Sequence, residues 1–267
     1  MNYEALKSSK IESIRAAIRA NGYTSHTAGL GQGFLQANLV ILSEEYALDF
    51  LRYCQRNPKP CPLIGVSDTG NPHLFTAGRD LDLRTDVPAY NVYRGGTLER
   101  CVNDIHDLWR DDMVAFAIGC SFTFEDALIK AGIDLWHITN DTTVPMFRTN
   151  VETFPAGPFR GPIVVSLRMV PDDKVDLVRS ISARFPLAHG SPIHWGDPAK
   201  IGIDNLAAPD WGDPVPVLPN YTPMFWACGV TPQAAIENAA LPLCITHKPG
   251  HMLITDIPDT AEIPILQ

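Results

Sequence analysis

The sequence contains no apolar run long enough to cross a membrane. Its apolar stretches, such as Ile163–Leu167, are strand-sized, whereas a spanning helix needs about 20 such residues. The segment from Met1 to Asn21 carries charges of both signs, with no secretory core and no small-residue cleavage site, so a cytoplasmic location without membrane attachment is expected. Basic charge is also scarce: 21 Lys and Arg stand against 30 Asp and Glu, a net charge of −9 among 267 residues. An acidic surface disfavours binding along a phosphate backbone and makes nucleic acid a poor partner. A small anion is still compatible, because a few local cations or helix ends suffice to hold one.

Several motifs are missing as well. There is no Gly-x-Ser-x-Gly elbow, no His-Glu-x-x-His and no dinucleotide fingerprint. The glycine-rich stretch His26–Gly33 lacks the Gly-Lys-Ser/Thr ending of a phosphate loop. Cys244 to His247 and His247 to His251 have ligand-like spacing, but Pro249 and Gly250 break any helix there and no Cys-x-x-Cys pair exists. Neither a metal nor a cofactor is expected. The six cysteines are scattered, which excludes a disulfide framework and predicts free thiols.

What is present is a chain with 45% hydrophobic and 19% charged residues, a globular balance. Helical spacing of Leu6, Ile14, Ala17 and Ile18 predicts a helix over 3–20, and Ser43 followed by Glu44 and Glu45 predicts a second from 44 to about 57. Leu63–Val66 reads as a buried strand, and 89–101 as a hairpin turning at Gly95-Gly96. From residue 112 the order is strand, helix, strand, strand, helix, strand. The strands are 114–118, 135–138, 163–168 and 192–195; the helices are 123–131 and 172–185. That order is the split βαβ of a ferredoxin-like unit. The expected fold is therefore α/β: a larger layered domain from 1–111 plus 201–267, with a smaller two-layer βαββαβ domain inserted at 112–200.

Two segments echo each other without a gap. Phe116–Thr123 aligns with Met224–Thr231, and the match continues through Ala127 with Ala235 and Ala131 with Ala239. Each reads as strand, cysteine, then helix, with Thr123 and Thr231 expected as N-caps. A cysteine at a helix N-terminus feels the positive end of the dipole, which should lower its pKa. The neighbouring N–H groups, around Ser121 and Gly229, can hold a carboxylate or an oxyanion. Cys120 and Cys228 are thus candidate proton-transfer residues; the competing explanation is two small residues packing strand ends. His247 is a third candidate acid–base group. Arg148 with Thr149 and Asn150 is the candidate carboxylate clamp, and Arg84 a further one, against the alternative of a structural ion pair with Asp80 or Asp86.

The run of segments GLGQGFLQANLVIL (29–42), CQRNPKPCP (54–62), DLRTDVP (82–88), LWRDDMVAFAIGCSF (108–122), VPMFRTN (144–150), GPIVVSLR (161–168), HGSPIHWGDP (189–198), FWACGVTPQ (225–233) and THKPGHMLITD (246–256) resembles the hydro-lyase family also called the D-glutamate cyclase family. The resemblance spans nearly the whole chain. It implies a lyase that removes water from a small acid, foremost the conversion of D-glutamate to 5-oxo-D-proline. It supplies no catalytic residues; Cys120, Cys228 and His247 come from the residues themselves. Two other functions fit the same residues. Paired cysteines on opposite faces of a Cα would suit a cofactor-independent racemase or epimerase, and a non-catalytic protein could simply bind a small acid. Self-association into a homo-oligomer is left open.

Overall fold

The computed structural model describes residues 2–262 and 264. Its central strand is β1, Phe34–Ser43, whose eight inner residues Leu35–Leu42 are all buried. A strand covered on both faces has no reason to alternate apolar with polar residues, so it carries no period-two signature and escapes detection from sequence. Around β1 lie six more strands: β2 (Leu63–Val66), β3 (Tyr90–Arg94), β4 (Thr97–Val102), β5 (Met113–Gly119), β10 (Cys244–His247) and β11 (Leu253–Pro258). Their order is β2-β5-β1-β10-β3-β4, with β11 also paired to β1. A second sheet has the order β6-β7-β9-β8, from β6 (Met146–Glu152), β7 (Pro162–Pro171), β8 (His194–Trp195) and β9 (Tyr221–Ala227). The ladders within both sheets are antiparallel.

The architecture is mixed α/β, as expected, but its strands are distributed differently. The predicted βαββαβ unit does not form one sheet. β5 pairs with β1 and β2 in the larger sheet, and the place it would take beside β7 is filled by β9, from the C-terminal part of the chain. Divisions at 112 and 200 therefore do not coincide with the sheets. Strand order along the chain cannot specify which edges pair when equivalent strands compete for one neighbour.

Local differences have local causes. The predicted helix 3–20 is two helices, α1 (Tyr3–Lys7) and α2 (Ile11–Arg19); between them the Ser9 hydroxyl donates to the Ala5 carbonyl, a competing bond that helps end the first. The predicted strand at 135–138 is instead a single helical turn, α5 (Trp136–Thr139), because so short an apolar run is ambiguous in period. The second predicted helix is α3 (Glu44–Arg56), and the hairpin turns at Gly95 and Gly96, whose φ values of 56° and 78° favour glycine.

Two helices tie the sheets together. α4 (Phe122–Lys130) follows β5, yet its Phe124 and Leu128 pack against Val170, Met224 and Trp226 of the second sheet, beside α6 (Val175–Ser182). α7 (Thr231–Ala239) follows β9, yet its Ala235 and Ile236 pack against Val40, Leu42 and Phe116 of the first, beside α3. Each sheet thus sends a helix to the other's core, and the N-termini of the two exchanged helices lie in the layer between.

Candidate active site

The echo at a separation of 108 residues is a repeated piece of tertiary structure. β5 ends with Gly119 opposite Ala37, and β9 ends with Ala227 opposite Val165. Beyond each ladder the next N–H of the neighbouring strand is met by a helix threonine. Gln36 N donates to Thr123 Oγ1 at 3.2 Å, and Val164 N donates to Thr231 Oγ1 at 2.9 Å. The threonines therefore cap the adjacent strand rather than their own helices, which corrects the expected N-cap role. Cys120 and Cys228 occupy the intervening turns, and the backbone N–H two residues on, at Phe122 and Val230, favours the thiolate form of each.

The two turns meet. Cys120 and Cys228 belong to one buried apolar cluster with Phe122, Met146, Val230 and Met252. Asn38 of β1 lies between them: its amide donates to Ile118 O at 3.2 Å and Gly119 O at 2.8 Å, just ahead of Cys120. Its other side packs against Gly229, just after Cys228. Both thiols keep 7–8% of their surface open, against 1% for Cys54, Cys61 and Cys244.

The expectation of a lowered thiol pKa is not met. Burial pushes Cys120 far above its ordinary value, and Cys228 up to about 11, and the helix N–H groups and Arg168 offset this only in part. Both thiols are protonated near neutral pH. They begin as proton donors, not as nucleophilic thiolates.

Beside the cysteines is a buried ionic cluster that the sequence reading did not single out. Glu125, in the first turn of α4, takes His137 Nε2 at 2.9 Å and Arg168 Nε at 3.2 Å on its Oε1, and Arg168 Nη2 contacts the same oxygen. Arg168 also donates to Ser166 Oγ and Ser121 Oγ, each at 3.0 Å, and lies over the rings of Phe124 and Trp226. Burial alone would raise the Glu125 carboxyl, but His137 and Arg168 outweigh it and hold the pKa down to about 2. Ser121 is thereby joined to this cluster. The echo offered a signal for Glu125, since the equivalent position on α7 is Gln233. Gln233 Nε2 donates to Thr246 Oγ1 at 3.2 Å and to His247 O at 3.0 Å, which fixes the end of β10.

His247 is the last residue of β10, not a loop residue. Its Nδ1 accepts from Leu39 N at 3.1 Å and lies 3.4 Å from Leu39 O; the shorter contact favours the neutral tautomer with its proton on Nε2. That buried Nε2 has no hydrogen-bond partner among the described residues. Burial lowers the pKa to about 4, so His247 is neutral near pH 7 and offers an N–H donor rather than a base.

The four remaining candidates are engaged elsewhere. Arg84 forks onto Asp82, at 2.9 and 2.7 Å, an ion pair with a different acid from those expected. Arg148 meets Glu237 at 3.0 Å and Asp210 at 3.6 Å and stacks on Trp211, so two carboxylates already neutralise it. Thr149 Oγ1 donates to Ile163 O, and Asn150 packs against Gly202. The expected carboxylate clamp is therefore not a free cation; the N–H groups at the starts of α4 and α7 are the donors next to the cysteines in the chain. Among the described residues no group of three or more His, Cys, Asp or Glu could hold a metal ion, and no helix is long and apolar enough to cross a membrane.

Comparison with known proteins agrees with the resemblance. Residues 114–256, which include both cysteine turns, match the family model described as D-glutamate cyclase. A protein of Dinoroseobacter shibae named "Putative hydro-lyase" is 68% identical over 99% of this chain and 88% of its own length. A Ruegeria pomeroyi protein of the same designation is 66% identical over 100% of this chain and 97% of its own. Among solved structures, a nitrogen repressor-like protein from Methanococcus jannaschii aligns with a TM-score of 0.39 and 9% identity over 91% of this chain and 97% of that one, too distant to bear on the site.

Proposed function

The chain belongs to the D-glutamate cyclase family, a hydro-lyase family, and on that footing we propose that it closes D-glutamate to 5-oxo-D-proline and water, with Cys120 and Cys228 as the proton carriers. The observation that carries this reading is the convergence of two matched, protonated cysteine turns on one site. In the reaction the substrate nitrogen bonds to its own γ-carbon, and one γ-oxygen departs. The ammonium gives up two protons and the departing oxygen takes two, so the balance is zero. A thiol that starts protonated suits this exchange: each cysteine passes one proton to the oxygen and recovers one from the nitrogen. Because the reaction is intramolecular, holding the chain folded supplies much of the rate. In this reading the N–H groups at the starts of α4 and α7 steady carboxylate and developing oxyanion charge, and His247 Nε2, which has no partner among the described residues, is a further donor.

The experiment is incubation with D-glutamate in deuterium oxide, followed by proton NMR. Formation of 5-oxo-D-proline with its Cα proton retained supports cyclisation. The matched cysteines favour one second reading, a racemase or epimerase in which one thiol removes and the other returns a Cα proton. Deuterium at Cα of recovered glutamate, without ring closure, would establish that reading instead. Tight binding with neither product nor exchange would make the protein a binder of small acids.

A further inference from the structure

Two residues that line a pocket beside the first turn of α4 each carry a buried acceptor oxygen that no described residue satisfies. The pocket is lined by the glycine-rich segment 29–34, Gln36, Phe122, Thr123 and Glu125, and its cavity volume is about 20 Å³, the size of a single small group. Glu125 is 2% exposed and Gln36 3%, and each presents a buried oxygen, Oε2 and Oε1 respectively, without a hydrogen-bond partner among the described residues. The orientation of Gln36 is fixed, because its Nε2 donates to Thr27 O at 3.1 Å and Leu30 O at 2.8 Å. The free atom is therefore the oxygen. A buried acceptor without a donor costs free energy comparable to a lost hydrogen bond, and two in one pocket make a recess built for a donor-rich group.

We infer that this pocket is the amino-group subsite of the active site, with Glu125 Oε2 and Gln36 Oε1 receiving two N–H bonds from the substrate nitrogen. The inference rests on the proposed amino-acid substrate. The pocket adjoins the cysteine turns through one wall: Phe122 lines it and belongs to the apolar cluster that holds Cys120 and Cys228, and Arg168 links Glu125 to Ser121 beside Cys120. Two acceptors match the group chemically. An ammonium would donate two of its protons to them and have the third to give up. Once neutral, an amine would keep both bonds and turn its lone pair outward, toward a γ-carboxyl held at the helix N-termini. Glu125 stays ionised throughout the neutral range, so it attracts the cationic form on entry. Glu125 and Gln36 are positioning residues here, not proton carriers.

The test compares D-glutamate with glutarate, which lacks only the amino group, by calorimetric titration of wild type, Gln36→Met and Glu125→Gln. The expected result is a preference for D-glutamate in wild type of about tenfold or more, the worth of charge-assisted hydrogen bonds. That preference should fall toward unity in either variant, with glutarate affinity retained. A preference that survives in both variants, or equal losses for both ligands, would overturn the subsite. Glu125→Gln strips Arg168 of its charge partner and could fail to fold; Gln36→Met keeps the ion pair and decides the matter in that case. If wild type binds neither acid, the proposed substrate is wrong, and methylammonium chloride tests the pocket alone. Thermal stabilisation of wild type by methylammonium that is lost in Gln36→Met supports the subsite, and no stabilisation refutes it.

Discussion

Gly229 packs so closely on the side-chain amide of Asn38 that a Cβ at position 229 would lie 1.9 Å from Asn38 Nδ2. Asn38 cannot easily retreat, because the same amide holds Ile118 O and Gly119 O. One side chain of β1 thereby sets the spacing of the two cysteine turns. Gly229→Ala should destabilise the fold by ~1–3 kcal/mol, as overpacking a rigid core does, and should lower turnover by displacing Cys228 relative to Cys120. Adding Asn38→Ala should recover part of the stability but not the turnover. Urea unfolding of the two variants checks this; additive losses would show that the contact is not rigid.

The cysteines should separate chemistry from packing. Cys120→Ser and Cys228→Ser should each reduce turnover by roughly a hundredfold or more, the range for loss of a proton-transfer group. Stability should fall only modestly, since serine keeps the shape of cysteine while placing a smaller, more polar group in the apolar cluster. Full turnover in both variants would return these residues to the role of strand-end packing.

Thiol reactivity follows from burial. Cys101 is exposed, whereas Cys120 and Cys228 are buried with raised pKa values. Iodoacetamide near neutral pH should label Cys101 first, and the two site cysteines should react slowly. Mass spectrometry of partially labelled protein gives the order. Rapid labelling of Cys120 would mean that a thiolate is present and that the proton-donor assignment is mistaken.

Three buried histidines should set the acid limit of stability. Burial first, with smaller contributions from neighbouring charges, lowers His189, His247 and His251 from 6.5 to about 4. Between those values the unfolded chain binds protons that the folded chain refuses. Their contribution to stability is therefore complete above pH 6.5 and is lost as pH falls toward 4, at up to about 1.4 kcal/mol per pH unit per group. Glu125 acts later: its folded value of about 2 lies below the ordinary 4.5, so its contribution persists above 4.5 and fails between there and 2. Urea midpoints measured from pH 7 to 4 should fall steadily, and His247→Gln should flatten the slope.

Arg168 lies against the neighbouring rings of Phe124 and Trp226 and is paired with a buried carboxylate. Arg168→Met should cost about 3–5 kcal/mol, because it leaves Glu125 charged and without its arginine partner. Combining it with Glu125→Gln should restore much of that loss. A thermal melt of the single and double variants decides the point.

Local patterns in the sequence determined the pieces. Helix α3, strands β2 and β5, the β3–β4 hairpin and both strand–cysteine–helix units could be read from spacing, caps and turn glycines, because each depends on neighbours within a few residues. The family could be read too, from motifs spread along the chain. Pairing was decided elsewhere. Nothing near Val114–Ile118 says that β5 lies beside β1 rather than β7, and β1 itself hides because burial on both faces erases alternation. The site shows the same division. Cys120 and Cys228 were legible through their repeat, but the Glu125–Arg168–His137 cluster joins residues from α4, β7 and α5. The arginines considered as carboxylate clamps meet their acids through long-range packing or a turn, Arg148 with Glu237 and Arg84 with Asp82. Even the protonation of the thiols was a tertiary decision: the helix end, visible in the sequence, pulls the pKa down, and desolvation by the surrounding core, which no local pattern encodes, pushes it up by more.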